Sequence, residues 1–235
     1  MLLELYPVNA FAAEIPRLRV QMMSLKEIAV MRSNLTYLIL GLAFSVAPSN
    51  ADELFTFDPR EVKQGSYELD RSHGKITWVV NHLGFSSYIG QIHSTRATLV
   101  LDPKQPNHST LSAKIDVASI ATLHSKLDEV LKSKEFLNVA KFPYAEFKSS
   151  SIQVLEPKRA RIAGELTLMG VTRPFEIEAT FNQAGVHPVD KRYTVGFDGR
   201  GKLRRSDFGI NAHLPAIGDE VTLIIEGEFK RIEKQ

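Results

Sequence analysis

The chain has 235 residues, 43% of them apolar and 24% charged, as in a globular protein and unlike a disordered one. Lys and Arg total 29 against 27 Asp and Glu, a formal charge of +2, so no basic excess directs the chain toward nucleic acid or an anionic bilayer. Cysteine is absent, which excludes disulfides, thiol catalysis, zinc–thiolate sites and a lipid anchor on an N-terminal cysteine.

Residues 35–47 form the one long uncharged apolar stretch. At thirteen residues it is too short for a bilayer, which needs about 20. It follows Arg32 and runs into Ser49-Asn50-Ala51, with small residues at the first and third positions. This pattern predicts a secretory signal peptide cut after Ala51; a buried helix or an uncleaved anchor are the competing readings. Residues 1–30 precede it as an extension, and Met22, Met23 and Met31 offer later translation starts. Cleavage removes four Lys/Arg and three Asp/Glu, leaving 184 residues with a net charge of +1. Residues 52–66 then read as a short leader and 67–235 as the folded domain. An exported chain without cysteine suits a Gram-negative periplasm, and the mature part shows no integral membrane span.

From Tyr67 onward, period-two alternation dominates. Ile76-Trp78-Val80, Ala97-Leu99-Leu101, Ala113-Ile115-Val117 and Ile162-Gly164-Leu166-Leu168 each set one apolar face against a polar one. Phe175, Ile177, Ala179 and Phe181 do the same, as do Val221, Leu223, Ile225, Gly227 and Phe229. Turn-forming stretches such as Asp102-Pro103-Lys104 and Glu156-Pro157-Lys158 separate these runs,. One interval, residues 121–137, changes period: Leu123, Leu127, Val130 and Leu131 fall at helical spacing until Phe142-Pro143 ends it,. The prediction is an all-β fold, a single antiparallel lipocalin-like barrel of about eight strands with one helical insertion, because closure hides the edges of long strands. A two-sheet sandwich is the runner-up.

Catalytic signatures are missing: there is no Gly-x-Ser-x-Gly, no His-Glu-x-x-His and no phosphate-cradling glycine loop,. His73, His82 and His93 lie near neighbouring turns, but without a short-spaced ligand pair on one element they read as turn residues rather than a metal site. Arg205-Ser206-Asp207-Phe208-Gly209 reads as a turn in which Asp207 accepts backbone donors and pairs with Arg205, while Phe208 enters the core. An adjacent Ser and Asp do not supply the oriented base that acyl transfer needs. The inward face is the stronger signal. Small residues (Ala97, Ala113, Gly164, Ala179, Gly227) alternate there with large ones, which predicts a lumen. Alternation assigns Trp78, Val80, Phe147, Leu166, Phe175, Ile177, Phe181, Phe197, Leu223 and Ile225 to its apolar wall. Asp70, His73, His82 and Asp207 are candidates for fixing turns or a ligand head group.

Tyr67-Glu68-Leu69-Asp70, Ile76-x-Trp78, His82-x-Gly84-Phe85-Ser86, Asp116-Val117-Ala118-Ser119-Ile120, Lys134-Glu135-Phe136-Leu137-Asn138-Val139 and Gly164-x-Leu166-Thr167-Leu168-x-Gly170-Val171-Thr172-x-Pro174 occur in order, followed by Arg205-Ser206-Asp207-Phe208-Gly209. Over residues 67–232 this resembles the YceI-like family of exported, lipocalin-like barrels associated with binding polyisoprenoids. The Arg-Asp-x-His-Leu that family members often carry on the helix is here Leu127-Asp128-Glu129-Val130-Leu131, so only Asp128 and Leu131 match. The resemblance implies a non-enzymatic protein that holds a long apolar isoprenoid, an isoprenoid quinone among the candidates, in the barrel lumen, without a required cofactor, and a homodimer at the family level. Carriage, storage and sequestration are its possible purposes. Two rivals remain open: a barrel-based hydrolase or isomerase acting on an apolar substrate, and a ligand-free stress or interaction module with a solid barrel.

Overall fold

Residues 55–233 are described by the computed structural model; the signal segment, its cleavage site and the extension before it lie outside the described residues. The strands are β1 (Phe55–Thr56), β2 (Gly65–Leu69), β3 (Lys75–His82), β4 (Ser86–Ile92), β5 (Thr95–Leu101), β6 (Thr110–Asp116), β7 (Ile120–Ala121), β8 (Tyr144–Glu156), β9 (Arg159–Leu168), β10 (Val171–Val186), β11 (Tyr193–Arg204) and β12 (Ile217–Arg231). A single α-helix, α1 (Ser125–Lys132), lies between β7 and β8.

The antiparallel order β2-β5-β6-β8-β9-β10-β11-β12 closes on itself where Phe229 of β12 pairs with Leu69 of β2. This is an eight-stranded barrel, as the alternation predicts. Three of its walls are single chain passes interrupted by kinks. β3 continues β2 along β12, β4 pairs with β3 as β5 pairs with β2, and β7 extends β6 beside β4. At the first kink, Gly74 and His73 donate to the Asp70 carbonyl at 2.8 and 3.0 Å, and the Leu69 side chain occupies the space a Cβ on Gly74 would need. The other two kinks are tied to each other: Ser119 Oγ donates to the Asp116 carbonyl at 2.6 Å and accepts from the Ser94 amide at 3.0 Å. The Asp116–Ile120 motif is therefore the brace that lets two neighbouring passes bend together.

Three of the hairpins, β3–β4, β8–β9 and β9–β10, are tight. β9 and β10 are joined by Met169-Gly170 alone, with φ of 53° and 75°, the left-handed pair that a two-residue turn needs to match strand twist,. Bulges at Ser149/Ser151 in β8 and Phe181/Gln183 in β10 shift which parity faces inward. Below them Ile152 and Ala184 join the core, positions that strict alternation from Phe147 or Phe181 does not assign.

The helix occupies only Ser125–Lys132 of the predicted interval. Ahead of it, Ile120 and Ala121 remain in the sheet, and Leu123 takes φ 62° and is fully exposed. Leu123 thus leaves the helical stripe, because His124 caps the helix by accepting the Leu127 amide at 3.1 Å,. Asp128 reaches back to accept from both the amide and the hydroxyl of Thr122, at 2.8 and 2.6 Å. Leu131 and Leu137 pack on the Trp78–Val80–Ile120 cluster, so α1 and the turns after it roof one end of the barrel. Upstream of β2, Phe55 and Thr56 pair with Gly185 and Ala184 of β10, and Val62 is buried in the wall. No described helix is long and apolar enough to cross a membrane.

Candidate functional site

Inward-facing residues enclose two cavities that share no lining residue. The first, about 390 Å³, lies under α1. Its wall is Ile76, Trp78 and Val80 from β3, Leu166 and Leu168 from β9, Leu203 from β11, and Val221 and Leu223 from β12. Leu127, Leu131, Phe136 and Leu137 form its roof. The second, about 300 Å³, lies toward the opposite end. Leu99, Ile152, Ile162, Ile177, Ala179, Phe181, Phe197, Ile225 and Phe229 wall it.

Between them stand Phe147 and Phe175, 3% and 6% exposed and packed edge to face with ring centroids 6.0 Å apart. Two glycines make room for these rings. A Cβ on Gly164 would come within 2.8 Å of the Phe147 ring, and one on Gly201 within 2.5 Å of the Phe175 ring. The small inward residues thus admit two rings that cross the lumen, where alternation by itself suggests one continuous space.

The ten wall residues predicted from sequence divide accordingly. Trp78, Val80, Leu166 and Leu223 line the cavity under α1, Ile177, Phe181, Phe197 and Ile225 line the far one, and Phe147 and Phe175 separate them. Sequence reasoning missed the roof and the loop wall: Phe136, Leu137, Ile210, His213 and Ile217 also border the first cavity. The helical spacing of Leu127 and Leu131 was the available signal for the roof. Residues 210–216 lie outside the strands, and Ile217 only opens β12, so they carry none.

Polar groups gather at the outer end of the first cavity. Tyr88 stacks on Trp78 with centroids 6.2 Å apart, His82 lies 6.0 Å from Tyr88, and His213 lies 6.0 Å from Phe136. The adjoining β3–β4 hairpin exposes Leu83 and Phe85 to solvent. Among the described residues, no carboxylate lines this cavity. The guanidinium that borders it, Arg205, is 5% exposed and spent on structure: Nε donates to the Gly218 carbonyl at 2.8 Å, and the terminal nitrogens donate to Ile210 and Ile217 at 3.0 and 2.8 Å.

The Arg205–Gly209 turn corrects the sequence expectation in one respect. Asp207 is exposed and does not pair with Arg205. Asp219 accepts the Ser206 amide and hydroxyl at 2.9 and 2.7 Å and Arg204 Nε at 2.9 Å, because the start of β12 brings it against this turn. Phe208 is buried in the core as expected.

The three histidines do not converge. His82 borders the cavity under α1, and His73 stands at the other end of β3, roughly 25 Å away along the strand at about 3.3 Å per residue. His73 Nδ1 meets Asp70 at 3.0 Å and Glu228 at 3.7 Å. The ligand atoms of Asp70, His73 and Glu228 lie within 4.8 Å of one another, but Lys230 Nζ already sits 2.6 Å from Asp70 and 2.5 Å from Asp190 and supplies the positive charge. Burial by itself raises the Asp70 carboxyl, yet hydrogen bonds from Lys230, Ser72 and His73 override it and hold the group well below the carboxylate range. In the unfolded chain an aspartate titrates near about 3.9. Asp70 therefore stabilises the fold fully at neutral pH, and that contribution fades as the pH falls below about 4, where the unfolded state takes up the proton first. Asp70→Asn is expected to melt below the parent protein at neutral pH, with the gap narrowing steadily below about pH 4. A gap independent of pH in thermal melts contradicts this account.

Comparison with known proteins places this geometry in a lineage. Residues 67–229 match the family model for the YceI-like domain. Protein YceI from Salmonella agona is 34% identical over 190 residues, covering 81% of this chain and 95% of that one. In fold, the chain is similar to BcnA from Burkholderia cenocepacia (TM-score 0.62, 22% identity, 68% of this chain and 98% of that one). It is also similar to a polyisoprenoid binding domain from Saccharophagus degradans implicated in plant cell wall breakdown (TM-score 0.56, 10% identity, 72% and 100%).

Proposed function

This chain belongs to the YceI-like family, and on that premise we propose that it is an exported lipid-binding protein that holds an isoprenoid chain inside its barrel, under α1. The carrying observation is the cavity of about 390 Å³ whose wall is almost wholly aliphatic and aromatic, a volume within the range of small-molecule sites. Each methylene-sized group moved there from water contributes about 0.8 kcal/mol, so an isoprenoid binds firmly without directed hydrogen bonds. Tyr88, His82 and His213 stand where the polar end of such a lipid, a quinone ring or an alcohol, meets solvent. The polyisoprenoid binding domain of similar fold supports this class of ligand. An export signal over residues 35–51 and a periplasmic site of action complete the proposal, with carriage or storage of the lipid between membranes as its purpose.

A serine-based hydrolase reading needs its nucleophile turned toward an apolar substrate. Ser206, the serine of the candidate cluster, is instead committed to Asp219. The test of the carrier reading is direct. Organic-solvent extracts of the protein purified from a quinone-producing host are expected to contain an isoprenoid lipid in near-stoichiometric amount by mass spectrometry. Extracts free of lipid overturn the reading.

A further inference from the structure

We propose that the barrel is a two-site protein: the far cavity is a second, separate binding site for an apolar chain, divided from the first by the Phe147–Phe175 partition. The proposal rests on the reading that this barrel binds apolar chains, and adds the number and limits of its sites. Protein interiors leave few voids larger than a water molecule, whereas this space measures about 300 Å³. Its aromatic residues stand around the perimeter and do not fill it. Phe181 and Phe197 meet edge to face at 5.8 Å, and Phe197 and Phe229 at 6.3 Å. Rings braced against one another along the wall leave the centre to a ligand.

Access differs between the two sites. The far cavity ends at a rim of turns carrying Pro59, Pro103 and Pro157 beside Arg60, Asp102 and Lys158. The site under α1 opens instead beside histidines and Tyr88, at the opposite end of the barrel. An occupant of the far site is therefore a short amphiphile, its hydrocarbon body among Ile177, Phe181 and Phe197 and its polar end at the charged rim. A chain too long for one chamber is blocked by Phe147 and Phe175, whose rings fill the layer over Gly164 and Gly201.

The test counts farnesol, a short isoprenoid alcohol, bound to the delipidated protein by native mass spectrometry. The parent chain is expected to saturate with two molecules. Ala179→Leu and Ala160→Phe, two independent fillings of the far cavity, are each expected to lower this to one, as is Val221→Phe in the cavity under α1. Circular dichroism identifies any variant that fails to fold, and the remaining far-cavity variant then decides. Saturation at one molecule, abolished by Val221→Phe and unchanged by Ala179→Leu and Ala160→Phe, overturns the second site and leaves the carrier reading standing. Saturation at two that neither far-cavity variant lowers also overturns it. Failure of the parent chain to take up any farnesol overturns both.

Discussion

Replacing Phe147 with alanine is expected to lower the unfolding free energy by about 3–5 kcal/mol. The ring is almost completely enclosed, in contact with Phe175 and lying over Gly164. Gly164 and Gly201 in the same layer have no side chains, so the truncation opens a passage between the two cavities and the loss falls at the severe end of such substitutions. For a domain of this size, that corresponds to a drop in melting temperature on the order of 10 °C. Thermal and urea denaturation measure it. Phe147→Leu retains most of the apolar volume and is expected to recover more than half of the loss. A Phe147→Ala protein as stable as the parent would mean that the partition rings move freely, and the two cavities would then be one.

The second large effect concerns Arg205. Arg205→Met keeps the length and apolar stem of the side chain but removes the guanidinium that satisfies the carbonyls of Ile210, Ile217 and Gly218. Each orphaned acceptor costs about 1–3 kcal/mol when water cannot reach it. Partial rehydration of this edge of the barrel sets the expected total at about 3–5 kcal/mol. Arg205→Lys is expected to recover little, since a single ammonium group lacks the planar fork that serves three carbonyls at once. Urea titration distinguishes these cases: a lysine variant with parental stability would show that charge rather than donor geometry holds this turn. The effect bears on the site as well, because Arg205, Ile210 and Ile217 all border the cavity under α1. A loosened turn should also weaken lipid retention.

What alternation reveals depends on where it holds. Along β9, Ile162, Gly164 and Leu166 face inward in strict period two, and the same is true of Phe175–Phe181 on β10 and Val221–Phe229 on β12. The strand identity and the inward face were therefore legible from the chain, whereas the separation of Phe147 and Phe175 from the cavity walls was not. A bulge inserts one residue without any compositional mark, so Ile152 and Ala184 escaped a reading that extends a fixed parity. Asp207 and Asp219 show the same limit from another side. Both are acids near Arg205-Ser206, one adjacent in sequence and the other supplied by the next strand, and the pairing of β11 with β12 decides which one reaches Ser206.

Long amphipathic strands with one apolar face could be read from the chain before any fold was known, since period-two patterning is local and survives any arrangement of the strands. Tertiary structure alone decided that the lumen is split. Whether a phenylalanine lines a wall or crosses it depends on what stands opposite, and Gly164 and Gly201 come to lie beside Phe147 and Phe175 only through the stagger of four different strands. The roof followed the same rule: Leu127 and Leu131 announce a helix with an apolar stripe, but which end of the barrel that stripe covers is fixed by contacts with Trp78, Val80 and Ile120, which are remote in sequence and meet only in the fold.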